Sequence, residues 1–164
     1  MSENHIHDMK DICVELLTER GVTLRDIAEL VLFLQEQYVP NLTVDICLQN
    51  VERVCKEEVQ NAIITGIQLD KLAEKKALDN PLLDILRNDE GLYGVDEIVA
   101  LSIVNIYGSI GFTNYGYIDK VKPGILAKLN DKGTGECHTF LDDIVGAIAA
   151  SASSRLAHSL AHLE

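Results

Sequence analysis

Tryptophan is absent from this chain, prolines number only three, and aromatic residues make up 5%. With 47% of residues hydrophobic, the core must be built from aliphatic side chains. Long strand-like alternations of apolar and polar residues are missing, which excludes an ordinary sheet protein and leaves helices. Basic residues are scarce: 14 Lys and Arg stand against 26 Asp and Glu, for a formal net charge of −12. Nucleic-acid binding needs a basic footprint, and loose adsorption to an anionic bilayer needs one too, so both are excluded as modes of action. The four cysteines, Cys13, Cys47, Cys55 and Cys137, form no CxxC and no metal-type spacing, so they read as reduced thiols of a cytoplasmic protein. No stretch approaches the roughly 18–20 apolar residues that span a bilayer. The first residues lack the basic start and apolar run of a signal peptide.

What remains is a series of helical segments, expected to form a single all-α domain over residues 1–164, a compact multi-helix bundle. A first helix is expected from Asp8 to Glu19, stopped by Gly21. Thr23 and Asp26 resemble a capping box opening a second helix, and Thr43 caps a third that runs to Cys55. A fourth covers about 57–76. These segments are amphipathic, and residues 1–78 read as scaffold or interface without a catalytic constellation. Their apolar faces are broad, so a homo-oligomer is expected. The opening TLRDIA of the second helix hints at a helix-turn-helix, but no basic recognition helix follows. His5 and His7 lie in a polar terminus, and His158 and His162 stand four apart near the other end; both pairs are weak metal signals.

Residues 79–164 carry the chemistry. Asn80-Pro81 is a helix start. Beyond it come two related segments, VDEIVALSI from Val95 and FLDDIVGAIAA from Phe140. Laid over one another, Asp96 falls on Asp142, Glu97 on Asp143, Ile98 on Ile144 and Val99 on Val145. Each begins with two adjacent carboxylates and continues almost wholly apolar, the pattern of a buried helix. Helices over 95–110 and 141–158 are therefore expected at the centre of the bundle, the second capped by Thr139. Acidic residues in a first turn can simply complement the helix dipole. Two such pairs at the mouths of two buried helices instead suggest a shared divalent cation, held by Asp96, Glu97, Asp142 and Asp143. Between them, the glycine-bearing stretch from Gly108 to Gly124 is expected to be irregular or closely packed; it follows no strand and is no nucleotide fingerprint. A short helix is expected over 126–129.

Three blocks occur in a fixed order: Asp96-Glu97-Ile98-Val99, then Asp119-Lys120-Val121-Lys122-Pro123, then Leu141-Asp142-Asp143-Ile144-Val145-Gly146. Together they resemble the phosphatidylglycerophosphatase A family, magnesium-dependent phosphatases that convert phosphatidylglycerophosphate to phosphatidylglycerol. The resemblance covers about 95–162. Gly116 stands where the family pattern carries an arginine, and the family's glycine-rich N-terminal segment has no counterpart here. The resemblance implies a phosphate-monoester hydrolase using Mg²⁺ or Mn²⁺, with a small phosphorylated substrate, such as a lipid phosphate. The family's enzymes are typically membrane proteins; the missing apolar span sets this chain apart, and a protein of the cytoplasm or the membrane periphery, without a transmembrane segment, is expected.

The residue chemistry fits that implication. Phosphoryl transfer needs negative charge neutralised and the reacting groups aligned. Mg²⁺ takes oxygen ligands from a few carboxylates plus water. Adjacent helical residues point about 100° apart, so one carboxylate of each pair is expected to bind directly. Asp119 and Lys122 are the catalytic candidates: Lys122 to hold a phosphate oxygen, Asp119 as nucleophile or as a further ligand. Two other readings stand beside this one. The first is a helical binding or assembly protein without catalysis, and the second is a phosphatase of a soluble phosphate ester.

Overall fold

A computed structural model describes residues 8–56, 59–89, 95–131 and 135–161. Among these residues every regular element is helical: α1 (Met9–Glu19), α2 (Leu24–Gln35), α3 (Val44–Val54), α4 (Gln60–Glu74), α5 (Leu82–Asn88), α6 (Val95–Val104), α7 (Ser109–Val121), α8 (Ile125–Leu129) and α9 (Thr139–Ala161). The all-α expectation is met, and the local signals behind it are visible. Asp8 accepts a hydrogen bond from the Lys10 N–H at the start of α1, and Thr23 and Asp26 form a complete capping box on α2. The Thr43 hydroxyl accepts from Ile46 N–H at the start of α3. Asn80 Oδ1 accepts from Asp84 N–H at 3.2 Å, with Pro81 as the residue flanking α5. The four cysteines are free and buried.

The chain is organised around α9, which packs against α2, α3, α4, α6, α7 and α8. Leu141, Ile144, Val145, Ala147, Ile148, Ala149, Ala150 and Ala152 are all inaccessible, and Ser151, Ser153 and Ser154 are buried with them. Small side chains make this all-round burial possible, because neighbouring helices can come close on every side. Two of the serines satisfy their hydroxyls on carbonyls: Ser153 donates to Ala149 O and Ser154 to Tyr107 O. No helix among the described residues is long and apolar enough to cross a membrane.

Three expectations are corrected. The apolar segment 95–110 is neither continuous nor central. α6 stops at Val104, a 3₁₀ turn follows over Asn105–Tyr107, and Gly108 at φ 77° redirects the chain. Only Ala100, Ile103 and Val104 of α6 are buried, and Ile98 is 60% exposed. Apolar composition gave no warning, because it does not state which faces acquire a neighbour. Of the two forms expected for the stretch from Gly108 to Gly124, irregular or closely packed, the first gives way, since most of it is the regular helix α7, and the second holds. Gly111 is there for contact: a Cβ at that position would lie 3.0 Å from Val104 Cγ1. Thr139 does not cap α9, because its hydroxyl donates to Leu86 O at 2.7 Å instead.

Candidate functional site

Three elements deliver carboxylates to one place. Asp96 and Glu97 lie in the first turn of α6, Asp119 in the last turn of α7, Asp142 in the first turn of α9 and Asp143 directly after it. Asp119, Asp142 and Asp143 each offer a carboxylate oxygen, and these oxygens lie within 4.8 Å of one another. Both members of the α9 pair reach the cluster, because α7 packs along α9 and sets Asp119 against both. Asp96 stands outside that group of three but close enough to raise the Asp143 pKa. Glu97 is exposed and stands outside that group of three. Both members of the α9 pair therefore enter the group, and of the α6 pair Asp96 acts on Asp143 from beside it.

Lys122 follows α7 in the left-handed conformation, at φ 51°. That turn folds its side chain back over the cluster. Its ammonium donates to Asp119 Oδ1 at 2.8 Å and to both oxygens of Asp142 at 2.9 Å. Burial works against the lysine's charge, but these hydrogen bonds outweigh it and raise its pKa above the ordinary value. Asp142 is shifted up by burial, with Lys122 pulling the other way. Asp143, 6% exposed, pairs with no cation among the described residues. Burial first, then the hydrogen bond with Asp96 and the charges of Asp142, Asp96 and Asp119, push its carboxyl up to about 9. The Tyr115 hydroxyl donates to Asp143 Oδ1 at 3.3 Å, and burial followed by the neighbouring carboxylates raises its pKa. A cleft of about 200 Å³ opens beside Asp142, lined among others by Arg87, Asp89, Asn130, His138 and Thr139.

The N-terminal half, read as scaffold, reaches this site. Asp70 of α4 is completely inaccessible and accepts from Phe140 N–H at 3.0 and 3.1 Å and from Leu141 N–H at 2.8 Å. It caps the helix that Thr139 was expected to cap. Burial pushes its carboxyl up to about 7, against the two backbone donors and the charge of Arg20. Arg20 pairs with Glu74 at 2.7 Å and donates to Cys137 O at 2.7 Å, tying α1 and α4 to the residues before α9. The signal was present in the sequence: Ile63, Gly66, Ile67, Asp70 and Ala73 form one buried stripe of α4, with a carboxylate in an apolar row. Tyr115 was equally overlooked, because a tyrosine on a helix reads as core. His158 is exposed; its partner His162, like His5 and His7, lies outside the described residues.

This arrangement can be set beside known proteins. The chain is 66% identical over its whole length to the whole of YutG of Bacillus subtilis. It is 52% identical to YpjQ of the same organism, over 97% of this chain and 90% of that one. Among solved structures, a protein from Bacillus stearothermophilus superposes with a TM-score of 0.91 at 67% identity, covering 96% of this chain and 99% of the other. The low temperature requirement C protein of Listeria monocytogenes does so with a TM-score of 0.90 at 67% identity, covering 93% and 96%. The family model of phosphatidylglycerophosphatase A matches residues 19–158, far beyond the three motif blocks and including the helix that bears Asp70. The chain belongs to the phosphatidylglycerophosphatase A family.

Proposed function

We propose that this chain is a divalent-cation-dependent phosphatase of phosphate monoesters, with a lipid phosphate such as phosphatidylglycerophosphate as its substrate class. The observation that carries the reading is the convergence of Asp119, Asp142 and Asp143 within 4.8 Å, backed by Asp96 and met by Lys122. The donor set is all oxygen, which suits Mg²⁺ or Mn²⁺ and not a soft metal. Asp142, Asp143 and Asp119 would hold the ion, with Asp96 behind Asp143 and Glu97 at the exposed edge of the α6 turn. When bound, the ion would neutralise charge on the phosphoryl oxygens and orient the attacking group.

The chain's own residues supply the rest. Lys122, 24% exposed at its side chain, is positioned to exchange a carboxylate for a phosphate oxygen without leaving the site. The Asp119 side chain, 31% exposed against 14% for Asp142, is the carboxylate an entering phosphate meets first. Asp96 and Tyr115 fix the orientation of Asp143. The cleft beside Asp142 offers room for the part of the substrate beyond the phosphate.

A second reading, hydrolysis of a soluble phosphate ester, is favoured by the absence of any membrane-crossing helix among the described residues. The test is phosphate release from phosphatidylglycerophosphate in mixed micelles and from glycerol 3-phosphate, each in Mg²⁺, Mn²⁺ or EDTA. The proposal predicts metal-dependent release from the lipid, abolished by Asp142→Asn. Release from the soluble ester alone would favour the second reading. No release from either, with a folded protein, would leave a helical binding module.

A further inference from the structure

The residues that touch the carboxylate cluster do not explain why α9 begins where it does. Its N-terminal end must present Asp142 and Asp143 in one fixed orientation, and first-turn N–H groups have no partners within the helix. A local Ser, Thr, Asp or Asn normally meets them. Here Thr139 is turned away to Leu86 O, and the residue before it, His138, commits its ring to Arg20 and Glu136 and meets the helix through its carbonyl, which accepts from Asp142 N–H. The N–H groups of Phe140 and Leu141 are met from another helix, by the inaccessible carboxylate of Asp70.

Asp70 has a short side chain, so α4 must lie close to α9 for this bond to form. Gly66, one turn earlier on the same stripe of α4, provides the approach. A Cβ there would run into the end of the Ile144 side chain and lie 3.1 Å from Phe140 Cβ. The glycine and the aspartate act together: one brings the backbones close, the other grips the amides immediately before the acidic pair. Burying a carboxylate is costly, and an apolar residue with a local cap on α9 would avoid that cost. Retaining the charge makes sense if the orientation of the first turn matters more than stability.

We infer that Asp70 is a positioning residue, which aims Asp142 and Asp143 at the cation by clamping the first turn of α9 from α4. The inference rests on the cation site of the proposed function. Asp70 lies outside the group of carboxylates that would hold the ion, so its effect passes through the backbone of Phe140 and Leu141. An amide in its place keeps one acceptor and turns a donor toward an N–H, which loosens the turn.

Isothermal titration of the full chain with Mn²⁺ at 20 °C tests this, with wild type, Asp70→Asn and the core control Val51→Ala. The control is destabilised but leaves the α9 turn alone. The expected result is at least a tenfold loss of Mn²⁺ affinity in Asp70→Asn, with the control within twofold of wild type. Equal affinities in wild type and Asp70→Asn would overturn the inference and leave the proposed cation site standing. A wild type that binds no Mn²⁺ would overturn both. If Asp70→Asn does not fold, Asp70→Glu decides, since it keeps the charge and displaces the carboxylate by one methylene. A threefold or larger loss there supports the clamp, and an unchanged affinity overturns it.

Discussion

Cation binding should expel a proton from the cluster. Asp143 is the source, because its carboxyl is pushed up to about 9 by burial and by the neighbouring carboxylates, and a ligand must be deprotonated. Freeing that carboxyl of its proton at neutral pH works against cation binding, because burial and the surrounding carboxylates favour the protonated form. Metal affinity should therefore rise as pH rises above 7, by about tenfold per unit where one proton is released per ion. Titration with Mn²⁺ at pH 7 in buffers of different ionisation enthalpy counts the protons directly, and close to one per ion is expected. Asp143→Asn should bind more weakly, with a much flatter pH dependence. The same shift governs stability without metal. A carboxyl whose folded pKa is raised contributes stability that is complete below the ordinary carboxylate value and is lost as pH rises through about 9. In EDTA the melting temperature should fall from pH 7 to 9 by roughly 4 °C per unit, from about 1.4 kcal/mol per unit spread over a chain of this size. Asp70, raised to about 7, acts with the same sign below pH 7, so the window above 7 isolates Asp143. No proton release, together with a flat melting profile in EDTA that Asp143→Asn does not change, would refute this account of the cluster.

Other expectations follow from the same geometry. Gly66→Ala places a methyl group against Ile144 and Phe140 and should destabilise by about 1–3 kcal/mol in urea unfolding, despite the better helix propensity of alanine; an unchanged midpoint would show that α4 can move away freely. Lys122→Met leaves Asp119 and Asp142 without their ammonium, so stability in EDTA should drop by about 3 kcal/mol and millimolar Mg²⁺ should recover most of it; an equal loss with and without Mg²⁺ would separate the lysine from the cation site. The outward apolar side chains Val95, Ile98, Tyr117 and Val121 on α6 and α7 call for a cover, so light scattering at micromolar concentration should report a particle larger than 18.1 kDa; a monomer would show that these faces stay open.

Much of this architecture was legible in the sequence, and the line between legible and hidden is physical. Caps such as Thr23 with Asp26, and Thr43, act within one turn, so the sequence displays them. The doublet Asp142-Asp143 ahead of an all-apolar run announced the most buried helix for the same reason. Asp119 and Lys122 sit three apart, and the left-handed turn at Lys122 joins them in space as well. By contrast, Asp70 meets Phe140 across 70 positions, and nothing local marks an aspartate on a helix as a cap for another. The α6 segment misled because hydrophobicity reports what a helix can bury and not what it is given: α9 received neighbours on all sides and α6 did not. The glycines on α7 left two forms open, irregular chain or close packing, and Gly111 takes the second, within a helix.

The central claim is that the carboxylates of α7 and α9 hold a divalent cation. Crystals grown or soaked with Mn²⁺ and measured near the manganese absorption edge test it most directly. The account predicts an anomalous peak bonded to oxygens of Asp142, Asp143 and Asp119, with the Lys122 ammonium displaced from Asp142. Millimolar Mn²⁺ that yields no peak at the cluster, with Lys122 still bound between Asp119 and Asp142, would contradict it.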